Sequence, residues 1–76
     1  MSLWPNPTTG EFTLKCPQSG TVILYNMQGQ QVMENKVMAG ATNLRLPAGA
    51  GAGVYMVKYA GEGNNGPVVL RLVYEP

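Results

Sequence analysis

The sequence predicts an all-β domain, a sandwich or small barrel of six or seven short antiparallel strands. Three observations carry this. Turn residues recur roughly every 8–14 positions along the chain. The runs between them alternate apolar and polar side chains or are rich in Val, Leu and Tyr, types that pack well on a pleated surface. No window of about 10 residues free of Gly and Pro carries a helical period; the best, Thr21–Gln28, is β-branched and ends at Gly29. The densest piece is a C-terminal hairpin of Gly53–Ala60 and Val68–Tyr74, joined by Gly61-Glu62-Gly63-Asn64-Asn65-Gly66-Pro67. Both of its strands are apolar on each face, a pattern usual for strands lying between two layers.

The elements follow in order. Met1-Ser2-Leu3 reads as an expression leader, with a single domain over residues 4–76 and a native chain continuing upstream. Pro5 and Pro7 fix their own φ and push Trp4 and Asn6 into extended geometry. Thr8-Thr9-Gly10 then turns the chain, and Phe12-Thr13-Leu14-Lys15-Cys16 alternates with Phe12, Leu14 and Cys16 inward. After Pro17–Gly20 comes a strand at Thr21–Tyr25, and Asn26-Met27-Gln28-Gly29 suits a hairpin loop built on a type I turn. The returning strand runs from Gln30 to about Met38, with Glu34, Asn35 and Lys36 exposed. Ala39-Gly40-Ala41 breaks it, and Thr42–Leu46 places Leu44 and Leu46 on one face. Pro47–Gly53 is a loop.

Seventy-six residues hold one domain, whose core rarely supplies more than about 3–5 kcal/mol without a staple. No staple is visible: Cys16 is the sole cysteine and there is no histidine. Five cations and four anions are spread along the chain, with no run to grip a phosphate backbone or an anionic bilayer. No apolar run approaches the roughly 20 residues of a membrane-spanning helix. Nucleic acid and a membrane span are therefore not expected.

Catalysis is not expected either. Histidine and aspartate are absent, the four glutamates lie in separate elements, and Cys16 has no imidazole to activate it. Neither a metal nor another cofactor is expected. The glycines at 49, 51, 53, 61, 63 and 66 precede strands rather than helix N-termini, so they read as loop residues and not as a phosphate cradle. Trp4, Tyr25, Tyr55, Tyr59 and Tyr74 could form a stacking platform for sugars, though strand aromatics in a small sandwich more often pack the core. Trp4 is the one expected at the surface.

Four pieces in order complete the reading: Pro5-Asn6-Pro7-x-x-Gly10-x-Phe12-x-Leu14; Val22-x-Leu24-Tyr25-Asn26-x-x-Gly29-x-x-Val32; Leu46-x-Ala48-Gly49; and Gly53-Val54-Tyr55-x-Val57-Lys58. Together they resemble a type IX secretion system (Por secretion system) C-terminal sorting domain, type A, from Trp4 to about Tyr74. The resemblance implies an immunoglobulin-like sandwich of about seven strands at the end of a larger protein secreted by a Bacteroidetes-type bacterium. It implies a non-catalytic address, read by the outer-membrane translocon after periplasmic transit of the cargo. A sortase-like peptidase would then cut just upstream and anchor the cargo at the cell surface. By this resemblance Pro5, Asn6, Pro7 and Gly10 match the opening turn and Gly29 the hairpin glycine. Gly53, Tyr55 and Val57 match the penultimate strand, and Val68, Val69, Leu70, Arg71, Leu72 and Val73 form the final strand on which the signal depends.

The chain departs from the family pattern at Asn26, where Asp is usual, and at Gln30, where Arg is common. The loop Leu46–Gly53 is expanded as though Ala-Gly were repeated, and Tyr74-Glu75-Pro76 stands where a short basic tail is common. Two other readings stay open on sequence: an immunoglobulin-like accessory module binding glycan or protein, and a structural spacer in an adhesin.

Overall fold

Alternation along Glu11–Cys16 puts Phe12, Leu14 and Cys16 on one side of a strand, and Val22 with Leu24 does the same along Gly20–Tyr25. Neither apolar side can face water alone, and the fold buries one against the other. A computed structural model of the chain describes residues 1–62 and 67–76. Its strands are β1 (Ser2–Trp4), β2 (Glu11–Cys16), β3 (Gly20–Tyr25), β4 (Gln31–Val37), β5 (Gly40–Arg45), β6 (Gly53–Gly61) and β7 (Val68–Tyr74). They form two antiparallel sheets, of order β1-β2-β5 and β4-β3-β6-β7. The predicted all-β, immunoglobulin-like sandwich of seven short strands is the fold observed.

The three-stranded sheet contributes Phe12, Leu14, Cys16 and Leu44 to the interior, joined by Leu46 just past β5. The four-stranded sheet contributes Val22, Leu24, Val37, Tyr55, Val57, Tyr59 and Leu72. Burial pushes the Cys16 thiol pKa up, partly offset by the charged N-terminus. Both interior tyrosines on β6 find partners for their hydroxyls. Tyr59 donates to the Gln18 carbonyl and Tyr55 to the Gly51 carbonyl, each at 2.6 Å. The second bond pins the expanded loop to the strand that follows it, in the manner of the tyrosine corner of immunoglobulin-like sandwiches.

Three expectations about the elements shift. Ser2–Trp4 pairs with Lys15–Thr13 as β1, so the sheet begins ahead of the expected boundary at Trp4 and Leu3 packs against the core. Gly40 and Ala41 belong to β5 rather than to a break, which shortens the crossing between sheets to Met38-Ala39. The hairpin β6–β7 has its apolar inner face buried, but no second layer covers its outer face among the described residues. The expected turn at Gly63–Gly66 lies outside the described residues.

Gly20 has a role the sequence did not disclose. A Cβ there would overlap the Ala60 carbonyl oxygen, because β3 and β6 approach closely at this end.

Candidate recognition site

The candidate site is the final strand together with the N-terminal segment that runs along it. In an antiparallel ladder, successive residues point their backbone groups alternately toward and away from the partner. In β7 the outward groups are those of the odd-numbered residues, and several are met by residues 6–8. The Asn6 carboxamide donates to the Arg71 carbonyl at 2.8 Å and accepts from the Val73 N–H at 2.9 Å. The Thr8 N–H donates to the Val73 carbonyl and the Glu75 N–H donates to the Thr8 carbonyl, both at 2.8 Å. Thr8 thereby forms a parallel bridge with Tyr74. The chain's two ends are zipped together, and much of the exposed edge of β7 is closed.

Thr8 is fully buried and fully bonded, its hydroxyl donating to the Glu11 carbonyl at 2.6 Å and accepting from the Gly10 N–H at 3.1 Å. Gly10 turns with φ of 138°, a conformation that disfavours any Cβ. Its carbonyl accepts from the Leu46 N–H at 2.9 Å, which ties the turn to the end of β5. The Trp4–Pro5 and Asn6–Pro7 peptides are cis. Thr8, expected as part of a turn, is instead a buried bridge residue. A Thr two residues before a turn glycine, able to bond the local backbone, was the signal that could have found it.

The structure brings most of the expected motif residues into this one region. Pro5, Asn6 and Pro7 are exposed, Asn6 lying along the β7 edge and Pro5 near Phe12, Thr13 and Asn43. Gly53 lies opposite Tyr74 in the β6–β7 ladder. Tyr55 and Val57 are buried opposite Leu72 and Leu70, so they hold β7 from inside. Along β7, Leu72 is buried and Leu70 packs against the core, while Val68, Val69 and Arg71 are exposed and Val73 is half-buried. Gly29 stands apart from β7, in the β3–β4 turn with φ of 82°. There the Asn26 side-chain oxygen accepts from the Gln28 and Gln30 N–H groups, and its amide donates to the Gln30 side chain at 2.9 Å. Asn26 and Gln30 are thus joined as a neutral amide pair across the turn.

The aromatic residues do not assemble a platform. Tyr55 and Tyr59 are interior, Tyr74 packs against the core, and Trp4 and Tyr25 belong to opposite sheets. Among the described residues no group of three or more His, Cys, Asp or Glu could hold a metal ion.

The sequence model of the secretion system C-terminal sorting domain matches residues 2–73, from the start of β1 almost to the end of β7. Among curated proteins no relative matches the chain. With nearly all of its length matched and the fold in agreement, the chain belongs to the family of type IX secretion system C-terminal sorting domains.

Proposed function

We propose that the chain is the non-catalytic C-terminal signal of a larger secreted protein. The outer-membrane translocon of the type IX system reads it, and a sortase-like peptidase removes it just upstream, leaving the cargo anchored at the cell surface. The family match over residues 2–73 carries this reading. In it the read unit is the final strand, Val68, Val69, Leu70, Arg71, Leu72 and Val73, held in place by Asn6 and the turn that Pro5, Pro7 and Gly10 shape. Tyr55 and Val57 support that strand from β6, while Gly29 and Gly53 shape turns. The two-way amide bond from Asn6 to Arg71 and Val73 supports including the N-terminal motif, since it links the motif directly to the strand.

The test is to place the whole chain behind a fluorescent cargo carrying a Sec signal, in a strain that has the translocon. Surface or medium fluorescence is the expected result. Cargo stranded in the periplasm, while an established sorting domain exports it in the same strain, would sink the reading.

A further inference from the structure

The outer faces of the two sheets differ in kind. On β2 and β5 the outward residues are Glu11, Thr13, Lys15, Ala41, Asn43 and Arg45, a mainly polar surface carrying the ion pair Glu11–Arg45 at 2.6 Å. The exposed Trp4 of β1, beside Thr13, is its one large apolar side chain among the described residues. The outward residues of the four-stranded sheet include Ile23, Tyr25, Val54, Met56, Val69 and Val73, and Val69 is 52% exposed. Register sets them side by side: Tyr25, Met56 and Arg71 share one row, and Glu34, Ile23, Lys58 and Val69 share the next. An antiparallel sheet that meets water on one side ordinarily carries polar residues there.

Resting on the sorting-signal reading, we propose that this outer face is the surface by which the domain docks. Its occupant is a protein surface of the secretion machinery with an apolar centre and carboxylates over Lys58 and Arg71. Charge selects that occupant. The face carries Lys36, Lys58 and Arg71 against Glu34, and none of these makes an ion pair among the described residues. A second copy would bring two cationic faces together, which like charges oppose. A bilayer would draw Lys58 toward hydrocarbon together with its row neighbours Ile23 and Val69, and with it Glu34 on the far side of Ile23, two charges that make no ion pair with each other. A partner carboxylate offsets that desolvation and lets the surrounding apolar side chains bury.

The test compares K58E/R71E with K15E, a matched reversal on the other sheet, each in the whole chain fused to the same cargo. The expected result is a fall in export of about tenfold or more for the double variant and none for K15E, with both melting temperatures close to wild type. Should the double variant fail to fold, Arg71→Gln and Val69→Thr give the same comparison with milder changes. Equal export by all folded variants would overturn the proposal. So would a wild-type dimer, seen by sedimentation, that the double variant dissociates, or wild-type binding to anionic phospholipid vesicles that it abolishes. Failure of the wild-type fusion to export would instead count against the sorting-signal reading itself, so the two failures are distinguishable.

Discussion

The two sheets of this sandwich bury similar inner faces and turn different outer faces to the surroundings. β2 and β5 follow the strict alternation of a half-buried strand, and their outward positions are polar but for Ala41. β3, β6 and β7 satisfy the interior with Val22, Leu24, Tyr55, Val57, Tyr59 and Leu72, then carry further apolar side chains outward. Folding requires the first set. It does not require the second, and a bare domain gains little from keeping Ile23, Met56 and Val69 half-wet. The difference separates what holds the domain together from what the domain presents.

That separation presupposes one shared interior, and the largest expected effect comes from breaking it. Tyr59→Ala removes a buried ring and a hydroxyl bonded to Gln18, and should cost about 3–5 kcal/mol. Val57→Ala should cost about 2–3 kcal/mol. Against a total of about 3–5 kcal/mol, the tyrosine change unfolds the domain in urea titrations. An unchanged urea midpoint would show that the two sheets do not share this core.

A smaller loss should follow from opening the joined chain ends. Thr8→Val leaves the Gly10 N–H and the Glu11 carbonyl without their buried partner, at about 1–3 kcal/mol. Asn6→Leu removes both bonds to β7 and should cost about 1–2 kcal/mol, with amide exchange accelerating first at Val73. Uniform acceleration across both sheets would mean that Asn6 supports the whole fold and not this edge.

Least of all should stability respond to the outer faces. Lys15→Glu and Val69→Thr should each change it by no more than about 0.5 kcal/mol in thermal melts, whichever sheet carries the substitution. Export is where they should part. A further small observable is Cys16: buried, with its thiol pKa raised, it should react with a thiol reagent far more slowly in the folded chain than in urea.

Much of this was legible in the residues. Alternation at Phe12-Thr13-Leu14-Lys15-Cys16 and turn chemistry at Asn26–Gly29 are local signals, and the corresponding elements stand where they were expected. β1 was missed because Met1-Ser2-Leu3 reads as a leader, and its pairing with Thr13–Lys15 is a tertiary event. Gly20 was missed for the same reason, being set by the passing backbone of Ala60, whereas Thr8 offered a local signal in Gly10 and only its backbone bonds to β7 were out of reach. The hairpin β6–β7 misled in an instructive way. Near-continuous apolar sequence reads as burial on both sides, yet the sandwich covers one side only. Asn6 was expected from the family motif, but its bonds to residues more than sixty positions away could not be read from a local pattern.

The central claim is that fold and signal share residues but not faces. The measurement that tests it most directly is the ratio of exported to periplasmic cargo, plotted against melting temperature. The plot would use single substitutions on both outer faces, in the whole chain fused to one cargo. The account predicts two separate trends. Variants of the β2–β5 face should lose export only as they lose stability, while those at Met56, Lys58, Val69 and Arg71 should lose it at wild-type melting temperature. A single trend, with export following melting temperature alone on either face, would contradict it.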